Sequence, residues 1–111
     1  MINYFDTRIG NYVKYENQVY QIDTISKELP TLNTIEFGIG VVEWKDLQPI
    51  KFSAGLWEDI GLQTNIFADR SGFIIFKNGY QFLFSYDDCE YLHELQNLYF
   101  ALTKKELNIK L

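Results

Sequence analysis

Cys89 and His93 lie four residues apart, the spacing that puts two side chains on one side of a helix. A thiol beside an imidazole is the minimal apparatus of a cysteine nucleophile, and a thiol near a helix N-terminus is pushed toward thiolate. The chain has one Cys and one His, so this is its only such pair. Asp88 and Glu90 flank the thiol and oppose its ionisation, and no Gly-rich oxyanion loop accompanies the two. A protein without catalytic residues is therefore expected. Two ligands fall short of a metal site even with Asp87 or Glu90 added, so neither metal nor cofactor is expected. The seven glycines show neither of the spaced motifs that cradle phosphates.

The densest acidic group is Asp87, Asp88, Glu90 and Glu94, with Glu58 and Asp59 forming a smaller one. Two roles are open to them: meeting a basic groove on a partner protein, or capping helices and favouring their positive ends. The chain carries 15 acidic against 10 basic residues, net −5, with no basic run. That disfavours direct nucleic-acid binding, which needs a Lys/Arg footprint to neutralise phosphates. No apolar run approaches the ~20 residues that span a bilayer, and MINYFDTRIG lacks the features of a secretory signal. A cytoplasmic protein with no membrane partner is expected.

The elements that position these residues can be read in order. Tyr12 to Tyr15 and Val19 to Ile25 are β-rich runs around the polar turn Glu16-Asn17. Residues 26–33, with Pro30 inside, read as a loop, and 34–44 return to β with Gly38 and Gly40 permitting a bulge. Ser53 reads as the N-cap of a short helix over 54–60, stopped by Gly61. A strand around 63–68 precedes the strongest hairpin signal, GFIIFKNGYQFLFSY, in which Asn78-Gly79 is the favoured type I′ pair. Both its strands are apolar at nearly every residue. That implies burial on both faces, or an aromatic surface that meets a partner.

The last helix is expected to begin at Asp87, with Asp87 and Glu90 at capping-box spacing. Tyr91, Leu92, Leu95, Leu98, Tyr99 and Leu102 then form one apolar stripe. Phe100 lies roughly 140° away from the centre of that stripe at ~100° per residue. With Cys89, His93 and Gln96 it makes a second stripe at i, i+4, i+7 and i+11. This second face either packs internally, under the loop from Lys104 or against a symmetric copy, or serves as a docking surface anchored by Phe100. The candidate partner-binding residues are accordingly His93, Gln96 and Phe100, with Asp87, Asp88, Glu94, Glu58 and Asp59.

HELQNLYFALTKKEL, residues 93–107, resembles the ending "HQLQNLYFALTGEEL" of a family of small proteins encoded by phages and prophages of Bacteroidota. RIGNYVKYENQVYQI, residues 8–22, is similar to that family's opening "LRIGN-V" strand pair. LQPIKFSAGLWEDIGL, residues 47–62, is similar to its "PIPLTEEWLLKFGF" segment. The chain departs from the pattern with Lys104-Lys105 for Gly-Glu and with Ser-Ala-Gly for Thr-Glu-Glu. The resemblance implies a mobile-element protein with no catalytic residues to carry over. It implies further an inhibitor of a host defence protein, including a CRISPR effector such as Cas13b of type VI-B.

The expected fold class is α+β in one domain over residues 1–111: a small bent antiparallel sheet, barrel-like in its N-terminal part, a short central helix, and a C-terminal amphipathic helix packed on the sheet. The expected function is a non-enzymatic phage or prophage protein that binds and inhibits a host protein, with a nucleic-acid-handling effector as partner. The alternative is a structural or accessory domain of a mobile element acting through homo-oligomerisation, with a homodimer as the expected form.

Overall fold

Two tight turns set the strand pairings. Glu16 and Asn17 have φ of 49° and 64°, and Asn78 and Gly79 have 51° and 83°, the left-handed values that a type I′ turn requires at both central residues. The first turn joins β1 (Tyr12–Tyr15) to β2 (Gln18–Ile25), and the second joins β6 (Gly72–Lys77) to β7 (Tyr80–Ser85). The computed structural model describes residues 7–25, 30–33, 38–61 and 65–109. Within these, β3 (Pro30–Asn33) and β4 (Gly38–Val41) complete an antiparallel sheet of order β1-β2-β3-β4. A second antiparallel sheet, β5-β6-β7, begins with β5 (Ile66–Ala68). The protein is α+β, as expected.

The N-terminal sheet stays open rather than barrel-like. Four strands, three of them only four residues long, are too few to close on themselves around a filled interior. It is irregular, with register shifts between Ile22 and Thr24 on β2 and between Leu32 and Asn33 on β3. Pro30 opens a strand instead of lying in a loop. It sits at the first residue, pairs with Ile25 alone, and so costs the ladder to β4 no donor. The flanking segments 26–29 and 34–37, and residues 63–64 of the expected fifth strand, lie outside the described residues.

The connection around Pro49 stitches the two halves together. Gln48 exchanges both backbone hydrogen bonds with Lys14, each 2.8 Å, which closes the free side of β1. Four residues after Gln48 the Phe52 N–H donates to the Glu90 carbonyl, and the Leu92 N–H donates to the Ile50 carbonyl, both at 2.8 Å. Phe52 thereby enters the main core, where its ring meets Trp57, Phe73 and Tyr86 edge-on at 5.1, 5.6 and 5.4 Å. A smaller core of Val13, Tyr20, Ile22 and Leu47 fills the opposite face of β1 and β2.

The short helix α1 spans Leu56–Ile60 and buries Trp57 and Ile60. Ser53 is not its cap. The Ser53 carbonyl accepts from the Leu56 N–H at 3.1 Å in a preceding turn, and Gly55 holds the N-cap position. Gly61, at φ 79°, ends the helix as expected, its N–H donating to the Trp57 carbonyl at 2.9 Å.

Helix α2 spans Leu92–Thr103, starting later than the Asp87-Glu90 spacing implies. The cause is local competition. The Asp88 carboxylate accepts from the Ser85 N–H and hydroxyl at 3.0 and 3.1 Å, closing a turn off β7 and leaving Tyr91 as N-cap. Glu94 then reaches back to the Tyr91 N–H at 3.0 Å. The helix packs against β1 and against β6 and so lies between the two sheets. No helix among the described residues is long and apolar enough to cross a membrane.

Candidate functional site

The wedged position of α2 explains its second stripe. Leu92, Leu95 and Tyr99 are buried in the main core, and so is Cys89, while His93 and Gln96 are buried outside that cluster. What covers Gln96 and Phe100 is the start of the described chain, Arg8 to Tyr12. The Gln96 amide accepts from the Tyr12 N–H at 2.8 Å and donates to the Gly10 carbonyl at 3.0 Å. Asn11 donates to Asn97 at 2.9 Å and accepts from the Arg8 N–H at 2.8 Å. Gly10, at φ 98°, supplies the left-handed residue that lets this turn press against the helix.

Phe100 lies under a cation. The Arg8 guanidinium carbon sits 4.5 Å from its ring centroid, while the same group donates to the Gln96 carbonyl at 3.2 Å and to both carboxylate oxygens of Glu106. The two stretches singled out by resemblance, RIGN and LQNLYFALTKKEL, therefore meet as one internal seam. Lys104 ends α2 at φ 62°, a conformation that favours glycine, and it stands where the resembled ending has Gly.

These positions correct the sequence reading of the site. His93 and Gln96 are interior residues, His93 stacked on the Tyr91 ring at 5.9 Å, and neither offers a surface to a partner. Phe100 is 37% exposed with Arg8 over its face, so it is not a bare anchor. Asp88 and Glu94 are engaged in local caps. Asp87 is exposed, but it shares a depression of about 480 Å³ with Lys51 and Arg70 as well as Glu90, so that surface is not an acidic patch. Glu58 is exposed on α1, and the Asp59 side chain lies outside the described ones.

Cys89 is poorly suited to nucleophilic work. Burial, and then the nearby carboxylates of Glu94 and Asp88, push its thiol up to about 12, so it is protonated at neutral pH. Its Sγ lies 3.9 Å from the Tyr91 carbonyl. The helix-terminus effect expected to lower the thiol does not prevail, because Cys89 precedes the first turn of α2 and is surrounded by the main core.

The exposed feature lies on the far side of the second sheet. Phe73 and Ile75 of β6 and Ile66 of β5 point into the core. The alternate positions point out: Phe67 pairs with Ile74 and Ile74 with Leu83, which makes one row across three strands, and Phe76 follows on β6. Phe67 is 58% and Leu83 69% exposed. Between them lies a shallow depression of about 410 Å³ that Asp69, Gly72 and Ser85 also line. Hydrogen bonds from the Ser71 N–H and hydroxyl and from the Gly72 N–H hold the Asp69 carboxyl below its usual range and fix that rim.

Comparison of the chain with protein-family models, curated proteins and solved structures gave no match. The site therefore stands on its own geometry.

Phe67, Ile74, Phe76 and Leu83 were not among the candidates read from the sequence. The signal was present as the largely apolar runs GFIIFK and YQFLFS, one of whose two implications was an aromatic surface. A run that is apolar at nearly every position has no clear period of two, so it does not say which face is buried.

Proposed function

We propose that the protein is a non-enzymatic binding protein that inhibits a host defence protein, using the outward face of β5-β6-β7 as its contact surface. The observation that supports this reading is the row Phe67–Ile74–Leu83, extended by Phe76. These are large apolar side chains held side by side on a regular sheet, with Phe67, Phe76 and Leu83 left open to water and Ile74 half-buried between them. Contiguous exposed apolar surface of this kind characterises interaction sites, and rigid aromatic anchors dominate their energetics. Strands also fix such anchors better than a loop does, so little ordering entropy is lost on binding. The phage setting implied by the resemblance favours a CRISPR effector of the Cas13b type as the target.

The test is cleavage of target RNA by a Cas13b effector titrated with the parent protein and with a Phe67→Ser, Leu83→Ser variant. The parent inhibits, and the variant inhibits at least about tenfold less well, the consequence of losing one hot spot's worth of binding energy. Its unfolding midpoint stays near that of the parent, because both side chains are already solvated. An inert parent, or a variant of equal potency, contradicts the proposal.

A further inference from the structure

β7 ends its sheet, so one side of its backbone meets β6 and the other meets no described strand. The two-residue turn determines which groups face the open side. Lys77 and Tyr80 flank that turn as a hydrogen-bonded pair, and the pairs then alternate, making Phe76–Gln81 and Ile74–Leu83 non-hydrogen-bonded. The Phe76 N–H agrees with this alternation, since it donates away from β7, to the Asn65 carbonyl at 2.9 Å. The N–H and C=O groups of Gln81, Leu83 and Ser85 accordingly point outward. Asp88 already holds the Ser85 N–H at 3.0 Å. Gln81 and Leu83 remain, two complete donor–acceptor sets on one edge.

Natural sheets protect such edges with charge, proline, bulges or brevity. The strand YQFLFS has six residues with none of these devices, in a chain whose overall charge is −5. We infer that β7 pairs antiparallel with β7 of a second copy, about a two-fold axis at Phe82. This register places Gln81 opposite the partner's Leu83 and Leu83 opposite the partner's Gln81, which uses both open sets on each chain. A shift one way requires the Ser85 N–H that Asp88 occupies. A shift the other way sets Gly79 of the turn opposite Leu83.

The side chains fit the same register. On the inward side Phe82 meets its own copy, and Tyr80, 71% exposed in one chain, meets the partner's Phe84. Aromatic cross-strand pairs of this kind stabilise antiparallel ladders. An uncharged strand meets its copy without like-charge repulsion, which makes the chain itself a fitting partner for this edge. Pairing also sets two outward faces side by side in one six-stranded sheet, enlarging the surface proposed above. It stands whether or not that surface binds a defence protein.

An edge ladder buries less than the ~800 Å² per partner of a standard interface, so the association is weak and visible by mass action. Sedimentation equilibrium over about a hundredfold concentration range is combined with amide hydrogen exchange on the parent chain. The mass approaches that of two chains, and exchange at Gln81 and Leu83 slows at least about tenfold with concentration, while Phe82 and Phe84, bonded to β6, stay slow throughout. Gln81→Pro removes a donor that β6 does not use and returns the monomer, whereas Phe67→Ser, on the opposite edge strand, keeps the dimer. A single-chain mass with constant exchange at Gln81 and Leu83 overturns the inference. So does a dimer that survives Gln81→Pro and is lost in Phe67→Ser, since that dimer packs through the sheet face.

Discussion

Replacing Gln96 by Ala lowers the free energy of unfolding by about 3–5 kcal/mol, enough to unfold a large share of a marginally stable domain. Gln96 is 1% exposed, and its amide satisfies both the Tyr12 N–H at 2.8 Å and the Gly10 carbonyl at 3.0 Å. Alanine leaves both backbone groups without this partner, each at about 1–3 kcal/mol, and adds the space of the lost side chain. The effect is read from the urea midpoint at unchanged slope. A Gln96 that served a partner instead would change binding and leave that midpoint where it is. The seam also ties β1 to α2 across 84 residues of chain, so its loss releases one sheet from the helix while the other stays attached.

Gly72→Ala is the second large loss, about 3 kcal/mol or more, seen as a thermal midpoint lower by roughly 10 °C. A Cβ at Gly72 would fall on the Phe84 carbonyl oxygen, well inside van der Waals contact, and within 3.1 Å of the Ser85 Cα. Both are backbone atoms of β7, so no rotamer relieves the clash and the strands must part. Gly79 offers the contrast. Nothing lies within 4 Å of its would-be Cβ, and alanine there meets only the left-handed backbone cost of about 1–2 kcal/mol. Near-equal losses at the two positions would contradict the close approach of β6 and β7.

Features set by neighbours in sequence were legible before the structure. The polar turn at Glu16-Asn17, the type I′ turn at Asn78-Gly79, the stop at Gly61 and the Leu92–Leu95–Tyr99 stripe depend on local backbone preference and on the 3.6-residue period. Features set by distant partners were not. Asp87 and Glu90 have sound capping spacing, but whether an acid caps a helix or closes a turn depends on how β7 exits, and Ser85 took Asp88 first. The second stripe of α2 was visible as a stripe, yet its cover, Arg8 to Tyr12, lies at the opposite end of the chain. A resemblance that joined RIGN to LQNLYFALT named both halves of that seam without saying that they touch. Of the expected contact surface, Asp88 and Glu94 turned out to be spent on local caps, and Asp87 lies beside Lys51 and Arg70. The apolar face replaced them because nearly every residue of two strands was apolar, and only the packing of α2 on one side tells which half remains outside.

The central claim is that the protein acts through the outward sheet face. Hydroxyl-radical footprinting of the side chains, free and in complex with the Cas13b effector, tests it most directly. Phe67, Phe76 and Leu83 label readily in the free protein, as their exposure requires, and lose that labelling in the complex while Phe100 is unchanged. Equal labelling of the three in both states, with protection appearing instead at Phe100 and the Tyr86–Tyr91 segment, would place the contact on the α2 side and contradict the account.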